Sequence, residues 1–255
     1  MARTKWLFPK LTQTDWRKEA GEVNYDVIIN NRSMSDRGFL AVQRPAEPSP
    51  EKKIVSNEVL SRDGAFYRDT GFYKDYEQEI EFNFMVPQQS EWAAKVRELR
   101  RIFETAKTLM FSDDQQFVRR IKLAVVGDCA RLGNLIGKAT VKLTLDPYHY
   151  FVPGQRWIKQ PELYRYNEHD KSRPIYRIIG NGEATLTVNG YSCTVIVPGQ
   201  IYLDTERSVA HGPESENLNA NTNADYERLL LKHGDNQVSV SGDFTLWVYP
   251  NWRQI

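Results

Sequence analysis

The chain has 255 residues, 40% of them hydrophobic and 26% charged, and a formal net charge of +1. That is the make-up of a globular protein of one large or two ordinary domains. So even a charge supplies no global field to draw in nucleic acid or a membrane surface, and no apolar run approaches the ~20 residues of a membrane helix. Cys129 and Cys193 stand one in each half and are expected as free thiols, as in a reducing cytoplasm.

The opening stretch, Met1 to Pro9, has too short an apolar part for a secretory signal. Residues 1–23 space Trp6, Phe8 and Trp16 among charges. They fit either an extra strand packed on the main sheet or an arm reaching a neighbouring subunit. Tyr25 to Ile29 is expected as a strand closed by an Asn30-Asn31 turn, and Phe39 to Val42 as a second strand. From Gln43 to Lys53 there are three prolines and no core residue, so the segment is extended and is no central strand. Ile54, Val55, Val59 and Leu60 resume a strand; Ser61-Arg62-Asp63-Gly64 and Thr70-Gly71 are expected as turns. A segment of this length is either a surface loop with a hairpin or an interaction arm.

Gln78 to Phe84 alternates, with Ile80, Phe82 and Phe84 on one face and Glu79, Glu81 and Asn83 on the other. Pro87 ends it. A helix is expected from Glu91 to Lys107, with Ser90 as N-cap and Trp92, Val96, Leu99 and Phe103 as its buried stripe. Asp113-Asp114 is expected as a turn held by side-chain-to-backbone bonds, not as a metal or acid–base pair. Phe117, Ile121, Leu123 and Val125 are expected to share a strand face, with a solvated Arg119 among them. Gly127 to Asn134 is expected as a loop. Ala139, Val141, Leu143 and Leu145 form the inward side of a strand ended by Asp146-Pro147. These elements describe an α+β unit, one long helix laid on an antiparallel sheet.

The expected domains are 1–151, a linker over 152–173, and 174–255. In the last part, short strands are expected at Pro174–Ile179, Ala184–Val188, Tyr191–Val197, Ile201–Asp204, Ser208–His211, Arg228–Leu231, Gln237–Ser241 and Phe244–Tyr249. Gly180-Asn181-Gly182, Asn189-Gly190 and Pro198-Gly199 stand between them as turns, the pattern of an all-β sandwich.

No catalytic constellation emerges. There is no phosphate-binding glycine pattern, no Gly-x-Ser-x-Gly elbow and no His-Glu-x-x-His. His149 is expected to pack at a domain edge. His169, His211 and His233 lie far apart, and no Cys/His cluster suits zinc. Arg97-Arg100-Arg101 and Arg119-Arg120-Lys122 are interleaved with acids or core positions and are expected as solvated faces. Tyr202, Tyr226, Trp247, Tyr249 and Trp252 sit where a β-core would use them, and no His-Asn-Arg sugar cluster can be picked out. Catalytic, metal and carbohydrate residues are therefore expected to be none, and no cofactor is implied.

The order of several short motifs nevertheless resembles one family. These are the proline-rich Arg44 to Lys52 followed by Arg62-Asp63-Gly64, the Leu109 to Asp114 stretch after the helix, and Asp146-Pro147. Further on come Ile201 to Asp204 after a hairpin, an Asn-rich loop, and the closing Trp247 to Arg253. In sequence they are similar to the distal tail proteins of long-tailed bacteriophages, from about Tyr25 to the end. The resemblance implies an N-terminal belt domain of antiparallel sheet or split barrel with one long helix and a protruding loop, then a galectin-like β-sandwich. It implies a homo-hexameric ring that joins the tail tube protein to the tail-associated tip protein and receptor-binding proteins at the virion's tail tip. DNA would pass through the ring's channel without sequence-specific binding, and no membrane insertion is implied. The arm from Arg44 to Tyr76 would close the ring, with Arg44, Pro45, Pro48, Pro50, Arg62, Asp63, Gly64, Phe66 and Tyr67 at the subunit interface. Two features depart from the family: residues 1–23 are longer than its usual lead-in, and its Pro-Gly is here Leu60-Ser61. The other functions considered are a glycan-binding sandwich protein and a hydrolase with an accessory sandwich; the lack of a nucleophile–base pair argues against the latter.

Overall fold

A computed structural model describes residues 25–58, 63–160 and 166–255. The expectations for residues 1–23, Val59, Leu60, Ser61, Arg62 and Pro161 lie outside the described residues. The chain divides into two compact units between Pro147 and Tyr148. The fold is mostly β with one α-helix among the described residues.

In the first unit the strands are β1 (Val27–Ile29), β2 (Arg32–Ser33), β3 (Phe39–Ala41), β4 (Lys52–Glu58), β5 (Ala65–Tyr73) and β6 (Tyr76–Met85). Helix α1 (Trp92–Glu104) follows, then β7 (Thr108–Phe111), β8 (Asp114–Arg131) and β9 (Ile136–Phe151). The main antiparallel sheet runs β2-β1-β7-β8-β9-β6-β3, while among the described residues β4 and β5 pair only with each other. Asn30 and Asn31 take positive φ, 50° and 60°, and make the tight β1–β2 turn.

Alternation places the core as expected. Ile80, Phe82 and Phe84 of β6 and Ala139, Val141, Leu143 and Leu145 of β9 are buried, as is the α1 stripe of Trp92, Val96, Leu99 and Phe103. Trp92 lies 5.0 Å from Phe84, ring centre to ring centre. The guanidinium of Arg131 sits over the Trp92 ring at 4.7 Å. Gly137 faces this pair, and a Cβ there would overlap both the Phe84 and Trp92 rings.

Five local expectations need correction. Ser90 does not cap α1: a 3₁₀ turn, Gln89–Glu91, leads in, and the helix stops at Glu104. Thr70-Gly71 is no chain reversal but an irregularity inside β5. There Gly71 has φ 75° and its N–H donates to the Asp69 carboxylate at 2.8 Å. β8 runs on to Arg131, so the loop expected from Gly127 shrinks to 132–135. Asp146-Pro147 does not end its strand, which continues to Phe151. Lastly, Leu123 and Val125 are exposed, at 58% and 50%, while Ala124 and Val126 pack on the core. β8 thus changes its inward face after Ile121, and a shift of one residue moves every later side chain to the opposite side.

In the second unit the strands are β10 (Ile158–Lys159), β11 (Tyr166–Asn167), β12 (Ile175–Val188), β13 (Tyr191–Asp204) and β14 (Val209–His211). β15 (Gly234–Asp235), β16 (Val238–Val240), β17 (Thr245–Tyr249) and β18 (Arg253–Gln254) complete it. The main sheet runs β10-β17-β12-β13-β14, with β16 also on β12. β10 and β11 fall within 152–173, where a linker is expected, and pair with β17 and β15. The four short strands expected between Pro174 and Asp204 are two long ones. Gly180 pairs with Gly199 and Asn181 with Pro198, so the two expected turns lie opposite each other and bend one continuous hairpin without breaking it. Glycines at positive φ, 151° at Gly180 and 89° at Gly199, make the bend possible. Both halves turn their inward residues into one core: Tyr176, Ile178, Leu186 and Val188 with Cys193, Val195, Ile201 and Leu203. Arg228–Leu231 is not a strand; a 3₁₀ turn at Tyr226–Arg228 precedes it, and Leu229 and Leu231 plug the core. The buried Tyr176 hydroxyl donates to the Leu229 carbonyl at 2.6 Å. Both cysteines are free, and burial pushes the Cys193 thiol up to about 11.

Gly137→Ala is expected to lower stability by about 1–3 kcal/mol, the usual cost of overpacking, and Trp92→Ala by about 3–5 kcal/mol, the range for truncating a buried large aromatic. Because the two share one space, the double variant should cost less than the sum. Chemical denaturation of the four proteins measures this.

Candidate assembly surface

The arm leaves the main sheet after β3 and returns at β6. Its first part, residues 44–50, has no regular structure, as three prolines require. Two ion-pair systems hold it to the sheet. The Arg44 guanidinium donates to Asp113, and the Arg119 guanidinium donates to Glu47 and, at 3.0 Å, to Asp114. Both guanidiniums lie 4.8 Å from the centre of the Phe111 ring. The Gln78 side-chain amide donates to the Ala46 carbonyl at 2.9 Å. Arg119, expected to be solvated, is 1% exposed, directly opposite Leu109 of β7. It can be buried because two carboxylates face it, Glu47 from the arm and Asp114 from the start of its own strand. Asp113 and Asp114, expected to hold a turn through their own backbone, serve these arginines instead. Burial pushes the neighbouring Tyr76 hydroxyl up to about 12 against the opposing pull of Arg119.

Beyond this root the hairpin stands on its own. Every residue of β4 is exposed. Val55 lies opposite Arg68, Ser56 opposite Tyr67 and Asn57 opposite Phe66. Ile54 and Tyr67 therefore share one face, and Val55 and Phe66 the other. Ile54 is 53% exposed, Val55 47%, Phe66 49%, Tyr67 75% and Phe72 53%. Ion pairs lace the base: Lys52 with Asp69 at 2.7 Å and Lys74 with Glu51 at 3.0 Å. The Lys52 ammonium holds the exposed Asp69 carboxyl below the usual carboxylate range. Among the described residues no further strand pairs with either edge.

Of the residues expected at a subunit interface, the structure places Phe66 and Tyr67 on the hairpin and Asp63 and Gly64 at its exposed tip. Arg44, Pro45, Pro48 and Pro50 lie at the root, part-buried, with Arg44 engaged by its own unit. Arg62 lies outside the described residues. Arg119 and Glu47 were missed as a pair. The parity of Phe117, Arg119 and Ile121 pointed Arg119 inward, but nothing in the sequence tied it to a carboxylate 72 residues away.

No protein-family model matches the chain, and no curated protein does. Among solved structures, the crystal structure of SPP1 Dit (gp 19.1), described as a paradigm of the hub adsorption apparatus in phages infecting Gram-positive hosts, aligns with a TM-score of 0.60. The alignment covers 90% of this chain and 98% of that one, at 12% identity. This chain has the Dit fold. Two structures of the phage P2 baseplate in its activated conformation also align. The one with Ca has a TM-score of 0.48 at 12% identity over 91% of this chain and 97% of that one. The one with Sr has 0.47 at 11% over 88% and 96%.

Removing one partner of a buried ion pair strands the other. Arg119→Ala is expected to cost about 3–5 kcal/mol and to open residues 44–51 to limited proteolysis, while Lys52→Ala, in an exposed pair, should leave the unfolding midpoint nearly unchanged.

Proposed function

We propose that this chain is a structural protein of a bacteriophage tail tip and not an enzyme. Six copies form a hub ring that joins the tail tube to the tail-tip and receptor-binding proteins and leaves a central channel for DNA. The protein would be assembled in the host cytoplasm and reside at the tail tip of the virion. The unit ending near residue 151 forms the belt of the ring, and residues 174–255 form a separate sandwich domain. The observation that carries this reading is the bare hairpin β4–β5, rooted by buried charge, on a fold shared with SPP1 Dit along almost the whole of both chains.

The reasoning from the hairpin is physical. A two-stranded hairpin alone is marginal in water. Among the described residues this one has no strand on either edge and carries large apolar side chains on both faces, the features proteins otherwise conceal. A neighbouring copy's sheet edge would supply backbone partners and apolar cover together. A head-to-tail contact of this kind closes into a ring when its rotation allows. Phe66 and Tyr67, with Ile54, Val55 and Phe72, would make the contact. Arg44 and the prolines would set the angle at which the hairpin leaves the belt.

Replacing residues 45–73 with a short Gly/Ser linker separates folding from assembly. Light scattering is expected to give a ring mass, six subunits, for the intact protein and folded monomers for the variant. A variant that still assembles fully would sink the reading.

A further inference from the structure

The outer face of the second unit's main sheet carries a row of side chains that the strand register aligns. Lys159 of β10 is opposite Trp247 of β17; Trp247 is opposite Arg177 of β12; Arg177 is opposite Tyr202 of β13; Tyr202 is opposite His211 of β14. Directly opposed residues share a face. Their strand neighbours Ile158, Val248, Tyr176, Ile178, Ile201, Leu203 and Ala210 are buried, so the row faces away from the core. Trp247, Arg177, Tyr202 and His211 are half-buried and Lys159 is exposed. The aromatic side chains expected in the core at Tyr202, Trp247 and Tyr249 are therefore on the opposite side of the sheet.

The row is organised. The Tyr202 and His211 rings stack, 5.0 Å apart and 13° from parallel. Trp157 stands against the sheet, 5.8 Å from Tyr202 and 5.4 Å from Tyr249, and walls one side. The Arg177 guanidinium donates to the Gln200 side-chain oxygen at 2.9 Å, and the Gln200 amide donates to the Tyr202 hydroxyl at 2.6 Å. The Arg177 Nε–H is buried and has no partner among the described residues. His211 Nδ1 lies 2.8 Å from the Gly212 carbonyl, which can only accept, so the neutral ring carries its proton there and leaves Nε2 as an acceptor.

We propose that this face is a binding platform for a neutral oligosaccharide. A pyranose has an apolar C–H face and a rim of hydroxyls that both donate and accept. The row presents flat aromatic surface at Trp157 and Trp247, donors at Arg177, Trp247 Nε1 and Lys159, and acceptors at Tyr202 and His211. Its two cations are separated by Trp247 and form no cluster suited to phosphate. Five strands ~4.8 Å apart make the row roughly 19 Å long, which suits a short chain of sugars more than a single ring. The groups sit on strands whose inward side chains are locked in the core, so the platform is preorganised. The proposal rests on the second unit alone and stands independently of ring formation.

The test is an array of neutral tri- to hexasaccharides of glucose, galactose and N-acetylglucosamine, printed beside acidic peptides and probed with the full-length protein, with titration calorimetry on each hit. Retention of a neutral oligosaccharide is expected. Trp247→Ala and Arg177→Ala should each weaken it at least about ten-fold, and Glu104→Gln at the exposed end of α1 should leave it unchanged. If either alanine variant loses its near-ultraviolet dichroism, Trp247→Phe and Arg177→Lys replace it, and each should still weaken binding. No retained sugar, retention of acidic peptides only, or affinity unchanged in the variants would overturn the proposal.

Discussion

A seven-residue strand with no buried residue is the constraint on which the first unit turns. Ordering backbone costs roughly 1–2 kcal/mol per residue, and an exposed cross-strand pair returns about 0.2–1 kcal/mol. The hairpin β4–β5 therefore cannot owe its shape to itself. What the chain does supply is a firm base. Arg119, buried between the sheet and the arm, is neutralised by Glu47 from the arm and Asp114 from the start of β8. Arg44 repeats the device with Asp113. The base fixes direction; the exposed apolar faces beyond it leave cover to be provided by something else.

Charge burial at the base has a cost of its own. A guanidinium removed from water is stable only while both carboxylates stay in place. Aliphatic packing would have held a loop there as firmly. A buried ion pair also sets a single geometry, because the fork of the guanidinium meets carboxylates from defined directions. The prolines at 45, 48 and 50 act the same way, limiting the arm's paths rather than strengthening any one contact. A rigid departure angle is what a part that must meet a neighbour at a fixed rotation requires.

Periodicity made much of the frame legible. The α1 stripe and the alternation of β6 and β9 needed only spacing. What spacing could not show was the partner of each residue. β8 changes its inward face midway, which swaps Leu123 and Val125 for Ala124 and Val126. Gly180 and Gly199 read as turns, yet opposite each other they bend a continuous hairpin. Arg119 lies on the inward parity, but the carboxylate from the arm that lets it be buried, Glu47, is 72 residues away. The row from Lys159 to His211 was invisible for the same reason: five residues from five strands become neighbours only through register. The hairpin was legible in outline, from its prolines and its β-branched and aromatic residues, but its lack of any covering layer was not.

The two units thus present different surfaces, one of strand edges and apolar side chains, the other an aligned row of polar and aromatic ones. The most direct measurement of the central claim is amide hydrogen exchange across β4 and β5, at a concentration where the protein is assembled and again after dilution. The account predicts that amides of residues 52–58 and 65–73 exchange about as slowly as those of β6 in the assembled protein and become fast when it dissociates. Exchange at loop-like rates in the assembled protein would contradict it, since the hairpin would then be ordered by no neighbour at all.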